Sequence, residues 1–474
     1  MVLHRFIPTP IAYRPPESMS QDEAPRVCPF AHGERRSAAS KEPGSESVTT
    51  TSTLDLSRTA STDSNTGSSV IGAPRRQLHP VHYHSYLQLD TLLSAQKPKS
   101  QEISGVMAHD EMLFIIVHQA HELWFKQIAH DLDSVLKIMS ADWIPEREFS
   151  RVVERLSRIT KIQKLLIEHL TILETMTPLS FLDFREYLYP ASGFQSMQFR
   201  TLEVKLGLRR GMRATYAGQG ERYECALTPQ QAQQILEMEK GSNLFDAVDK
   251  WLARLPVLHT KDFDFWQEYQ KAVERMFAQD EADLRLQLER GIISETLVNS
   301  RISEINRQRE FFKQFFDEEW YEHSRLSGAR RLSYRACQAA LMINFYQEEP
   351  LFQMPFQMLN LLLELDANFT AWRSKHAQMV HRMLGLKMGT GGSSGFSYLM
   401  QAVNDHKVFT EFYNLSSLLV PRAYLPPLPE SVHRLTSFMY SPHHCDLNTM
   451  QFDENLAATS MESFPSIPSQ SASE

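Results

Sequence analysis

Leu362, Leu365, Phe369, Trp372, His376, Met379 and Met383 follow one another at intervals of 3, 4, 3, 4, 3 and 4 residues. On a helix this spacing draws one continuous apolar stripe, and His376 stands inside it. An imidazole in such a row has to find a partner for its polar nitrogens. Two chemistries meet that need: axial ligation of a buried iron, or a core histidine hydrogen-bonded to a carbonyl. His381 lies about 140° further round the helix, off the stripe, so of the two histidines His376 is the candidate ligand.

Three other constellations carry polar groups into apolar surroundings. In HDEMLFIIVHQAHELWFKQI, residues 109–128, Phe114 and His118 stand one turn apart on the same side of a segment apolar enough to be buried. His118 and His121 have a spacing that zinc tolerates, but HExxH is absent and no third ligand is evident. Arg185 sits among aromatics in FLDFREYLYPASGFQ. There it could grip a carboxylate through a bidentate fork, or pair with Asp183 or another acid. Directly after the striped helix comes GTGGSSG, residues 389–395. It is not a phosphate loop, because the Lys-Ser/Thr pair and the preceding strand are missing. Its glycines suit backbone that closes over something, or a plain hinge. Tyr83 and Tyr86 offer flat walls or ordinary core rings. The 20 methionines are spread through core positions and indicate no cofactor role.

The elements that must hold these residues are helical nearly throughout, so the fold class is all-α. One long apolar helix spans 110–136. Pro145 opens the next, whose inner face is Val152, Leu156, Ile159, Leu166, Leu170 and Leu173. Residues 205–260 are mixed, with a loop at GQGERYE and helices at 228–240 and 243–254. Two long charged helices, 261–290 and 295–324, read as an amphipathic surface hairpin. Helices at 330–346 and 351–386 follow.

Composition bounds the rest. From Ser37 to Ser69 about half the residues are Ser or Thr, too few of them apolar to offset the entropy of ordering. The chain therefore divides into a disordered leader, 1–78, a helical domain, 79–440, and a disordered tail, 441–474. Within the domain, 205–330 reads as a more surface-exposed helical insert. A net charge of −8 and the absence of a basic run give no reason for nucleic-acid or anionic-membrane binding. Apolar runs such as LFIIV are too short to span a bilayer, and the proline-bearing start MVLHRFIPTPIAYRPPE does not suit a signal peptide. The four cysteines have no CxxC or disulfide-type spacing, which suits free thiols in a reducing, cytoplasmic setting.

Taken in order, YHSYLQLDTLL (83–93), HDEMLFIIVHQAHELWFKQI (109–128), FREYLYPASGFQSMQFR (184–200), RRLSYRACQAALMINFYQEEP (330–350), WRSKHAQMVHRMLG (372–385) and GTGGSSGFSYL (389–399) closely resemble the tryptophan 2,3-dioxygenase family. The resemblance implies an all-helical homotetramer with one haem b per subunit, active as ferrous iron. It implies cleavage of the indole ring of L-tryptophan by O2 to N-formyl-L-kynurenine, the first step of the kynurenine pathway. The W-R-x-x-H motif falls on Trp372, Arg373 and His376, which makes His376 the axial iron ligand. The distal histidine falls on His118, the catalytic candidate, and Phe114, Ile115, Ile116 and Val117 line the substrate side. Arg185 matches the carboxylate-holding arginine, Leu188 an apolar wall, and Thr390 the threonine that meets the substrate ammonium. Tyr83 and Tyr86 match tyrosines that reach into a neighbouring subunit's pocket.

Three departures accompany the match. His84 and Ser85 stand where the family has Gly-Asn, His121 replaces the aromatic of HQAYELW, and the leader is longer than the family's. Two other functions would use the same fold: a haem hydroxylase of another aromatic amino acid, separated by a gain of one oxygen instead of two, and a haem sensor or helical interaction protein with no turnover. The polar set Arg185, Thr390 and His118 has no use in the latter.

Overall fold

Three- and four-residue apolar spacing builds helices almost everywhere. The computed structural model describes residues 80–213, 227–255, 259–260, 263–385, 387 and 395–436. The leader 1–78, the tail 441–474, the GQGERYE loop and Thr390 lie outside the described residues.

An arm of three short helices, α1 (Tyr83–Tyr86), α2 (Leu89–Leu93) and α3 (Lys99–Ser104), leads into the long α4 (His109–Met139) and α5 (Glu146–Leu173). The arm is tied down at its end. The buried carboxylate of Glu111 on α4 accepts the backbone N–H groups of Lys99 (2.7 Å) and Ser100 (3.0 Å), which open α3. Pro145 takes the N-cap of α5, and Val152, Leu156, Ile159, Leu166, Leu170 and Leu173 are all buried, as their periodicity predicts.

Then come α6 (Pro178–Arg185), α7 (Met197–Leu206), α8 (Pro229–Glu239), α9 (Leu244–Ala253), α10 (Phe265–Glu289), α11 (Glu295–Phe316), α12 (Glu318–Leu326), α13 (Tyr334–Phe345), α14 (Pro350–Leu384), α15 (Gly395–Asp405), α16 (Thr410–Asn414) and α17 (Glu430–Thr436). A two-residue antiparallel pairing of His259–Thr260 with Phe263–Asp264 is the sheet present among the described residues. The helix expected over 295–324 is broken at Asp317, whose side chain accepts the Trp320 N–H and caps α12. An acidic first turn, Glu318 and Glu319, favours that restart.

α14 packs along α5, α4 packs on α5 and α7, and α15 returns against α14. The main core joins Ile128 and Leu132 of α4, Leu156 and Ile159 of α5, and Leu362 and Leu365 of α14, all fully buried. The 205–330 stretch does not stand apart from it. Phe245, Leu252, Phe265, Tyr269 and Phe315 are buried in the same cluster, because the apolar faces of α9 to α11 have no other surface to cover them. The outer face of the α10–α11 hairpin does have the exposed, charged character that its composition suggests, with Lys271, Arg285 and Arg307 on its surface. Among the described residues no single helix is long and apolar enough to cross a membrane.

Candidate active site

A second, smaller apolar cluster forms beside the main core. Val117 of α4, Leu170 and Leu173 of α5, Met176 just after it, Phe184 of α6 and Met379 of α14 are its buried members, and Phe114, Leu188, Trp372 and Met383 are among the residues that pack on it. Three segments singled out in the sequence thus meet, although Val117 and Met379 stand 262 positions apart in the chain (379 − 117). Phe114 is at their junction: its ring centroid lies 4.1 Å from that of His118, 5.8 Å from Phe181 and 5.5 Å from Phe184.

His118 places its Nδ1 2.7 Å from the carbonyl of Phe114, one turn earlier. A carbonyl only accepts, so Nδ1 carries the proton and a neutral ring keeps its lone pair on Nε2. Burial lowers the His118 pKa, more than the Phe114 carbonyl and Glu122 raise it. The residue nevertheless keeps exposed surface.

His376 is half-buried and lies flat against Trp372, the ring centroids 5.2 Å apart and the planes 8° from parallel. Burial, with smaller contributions from His118 and His121, pulls its pKa down to about 4. Its Nδ1 is buried and has no hydrogen-bond partner among the described residues, whereas His118 and His121 each bond a carbonyl one turn back. The carbonyl that a purely structural core histidine would need is therefore missing at Nδ1. A neutral imidazole in an apolar cluster, with an unsatisfied nitrogen, fits the donor set for axial ligation of haem iron.

Arg185 is half-buried at the C-terminal end of α6, immediately after the fully buried Phe184, and the 3-10 turn Glu186–Leu188 carries Leu188 into the cluster. Of the α4 residues expected to line the site, Phe114 and Val117 join the cluster and Ile115 and Ile116 do not; Ile116 is exposed. Tyr83 and Tyr86 are not core rings. They are 73% and 74% exposed on α1, which buries no residue against its own chain.

One buried polar network beside the site was not anticipated. Glu203 of α7 accepts from Arg200 Nη1 (2.8 Å), Arg373 Nη2 (2.9 Å) and His406 Nδ1 (3.1 Å), while Arg373 Nη1 donates to the His406 carbonyl (2.9 Å). Burial alone would raise the Glu203 pKa, but Arg200, His406 and Arg373 outweigh it and hold the carboxyl well below its usual range. The network fixes α14 one turn before His376. Arg200 and Glu203 at i, i+3 were visible in the sequence as a pair, but such pairs usually lie on a solvated face and nothing local marks this one as buried.

Comparison with known proteins agrees with this arrangement. The family model described as tryptophan 2,3-dioxygenase matches residues 72–419. The chain is 43% identical over 364 residues to a tryptophan 2,3-dioxygenase of Alteromonas mediterranea, covering 77% of this chain and 99% of the relative. It is 44% identical to that of Dictyostelium discoideum, covering 76% and 89%, and 42% identical to that of Rattus norvegicus, covering 81% and 92%. With that match over most of the chain and the meeting of its motifs at one apolar cluster, this chain belongs to the tryptophan 2,3-dioxygenase family.

Proposed function

We propose that this protein is a haem-dependent dioxygenase that cleaves the indole C2–C3 bond of L-tryptophan with O2, both oxygen atoms entering N-formyl-L-kynurenine, as the first step of tryptophan catabolism by the kynurenine pathway. The observation that carries this reading is His376: neutral, stacked on Trp372 beside the smaller apolar cluster, and without a partner at Nδ1 among the described residues.

His376 would hold one haem b per subunit. Bound there as ferrous iron, the haem supplies the activation of dioxygen. The protein's own residues supply position. Arg185 offers the guanidinium fork for the substrate carboxylate, and Thr390 the hydroxyl for its ammonium. Phe114, Val117 and Leu188 form apolar walls that exclude water from the indole. His118 accepts the indole N–H at Nε2, the nitrogen left unprotonated by the Phe114 bond. Fixing both ends of the zwitterion and the ring N–H turns a free encounter into a single pose, which lowers the barrier by prior loss of freedom.

The arm supports a homotetramer. Val81, Tyr83, Tyr86, Leu93, Ile103 and Val106 are all more than half exposed in one chain, and a neighbouring subunit is the natural cover for such a row. Tyr83 and Tyr86 would then contribute to the neighbour's pocket. We place the enzyme in the cytoplasm, in keeping with its thiols: Cys337 is free and buried, its pKa pushed up to about 12 by burial.

The test is the absorption spectrum of the purified protein, wild type and His376→Ala, under a reductant and then with L-tryptophan and air. The expected result is a Soret band that the substitution removes or shifts, and a product two oxygen atoms heavier than tryptophan. A product gaining one oxygen would indicate hydroxylation instead, and absence of haem from the wild type would sink the assignment.

A further inference from the structure

His121 is the departure from the family's HQAYELW block that lies nearest the proposed ligand. Its ring is buried, with Nδ1 2.8 Å from the Val117 carbonyl. That bond requires the proton on Nδ1, and burial, the largest influence on the ring, favours the neutral form, so Nε2 presents a lone pair. Facing it at 3.4 Å is Nε1 of Trp372, a group that can only donate. The same indole lies nearly parallel to the His376 imidazole, is flanked by Phe199 at 5.3 Å, and meets the Phe125 ring edge-on at 6.4 Å. Apolar rings confine an indole without deciding where its N–H points. His121 supplies that direction.

We propose that His121 is a positioning residue: by accepting the Trp372 indole N–H it keeps the indole flat against His376 and so sets how that imidazole is presented to haem iron. The family's tyrosine at this position also carries an acceptor oxygen, so the substitution keeps the acceptor and changes the group that bears it. This inference rests on haem ligation by His376, and its test separates the two.

The experiment compares wild type, H121F, H121Y, W372F and H121F/W372F. In the haem-free proteins, ultraviolet resonance Raman reads the indole N–H hydrogen-bond marker as the difference between each protein and its W372F counterpart. Haem titration then gives affinity, and resonance Raman of the ferrous complex gives the iron–histidine stretch. H121F is expected to lose the bonded-indole signature, shift the iron–histidine stretch and bind haem about tenfold more weakly, as outer-shell partners of metal ligands do. H121Y should restore all three towards wild type, and the double variant should be no worse than W372F alone, because both act through one contact. If H121F folds poorly, W372F carries the test by removing the donor while keeping a flat ring, and must shift the stretch in the same sense. An unchanged stretch and affinity in H121F, equal losses in H121F and H121Y, or additive losses in the double variant would each overturn the proposal. Failure of the wild type to bind haem would instead overturn the assignment of His376, while the haem-free indole signature would still report the hydrogen bond.

Discussion

Three histidines share one small volume, and their hydrogen bonds give them different work. His118 and His121 each spend Nδ1 on a carbonyl one turn back and keep Nε2 as an acceptor, whereas Nδ1 of His376 has no partner. In the proposed reaction an acceptor at His118 Nε2 would orient the indole N–H without having to remove its proton. We therefore expect His118→Ala to lower kcat about tenfold, the worth of one hydrogen bond of roughly 1 to 1.5 kcal/mol. Steady-state kinetics check this, and abolished turnover with haem content and tryptophan affinity intact would refute it. The same burial makes the fold sensitive to acid. All three pKa values lie below the usual 6.5, His376 at about 4, so the unfolded chain takes up protons at a pH where the folded one does not. Stability therefore falls as pH drops below about 6.5. The midpoint of urea unfolding of the haem-free protein should decline between about pH 7 and about pH 5; a flat profile would contradict the assignment of neutral rings.

At the scale of elements, α14 is the frame on which the site is hung. Pro350 starts it, Gly385 ends it with φ +58°, and between them the stripe from Leu362 to Met383 faces first the main core and then the smaller cluster. Asp366, buried near its middle, accepts the backbone N–H groups of Val408 and Phe409, each at 3.0 Å, and so ties the segment after α15 to this helix. Burial raises the Asp366 pKa despite those two bonds. Asp366→Ala would leave both N–H groups buried and unpaired, with an expected loss of about 3 kcal/mol in denaturant unfolding. A loss below about 0.5 kcal/mol would mean that the segment is held by its apolar contacts alone. Such a result would fit Phe409, which stacks on Phe245 in the core, and Phe412, which meets the same ring at a tilt.

For the whole molecule, the arm from Val81 to Val106 is the part that a single chain leaves uncovered. Glu111 and the Gln96–Gln119 pair hold its end to α4, but its apolar side chains find no core of their own. Equilibrium sedimentation should give the mass of four chains. The pair of substitutions Tyr83→Ala and Tyr86→Ala should raise KM for tryptophan several-fold, consistent with losing about 1 kcal/mol of aromatic contact, while haem content stays unchanged. Unaltered KM in a stable tetramer would remove both tyrosines from the pocket.

Periodicity by itself determined the helical class, the inner faces of α5 and α14 and the choice of His376 over His381, because the repeat of a helix is a local property that side-chain types record directly. The ordered motifs determined the family. Other features depended on which surfaces meet. That Nδ1 of His376 meets no carbonyl among the described residues, the observation behind its proposed role as a ligand, could not be read from spacing, because a carbonyl's position belongs to the packed backbone. The core role of Phe245, Phe265 and Phe315 was hidden because charged neighbours make an amphipathic helix look superficial until something covers its apolar side. No local spacing joins Glu203 and Arg200 to Arg373 and His406, and only the convergence of their segments beside His376 gives them each other in place of water. The break at Asp317 was legible in principle, an N-cap followed by two glutamates, yet a cap competes with continuing helix, and the packing of α12 decided between them.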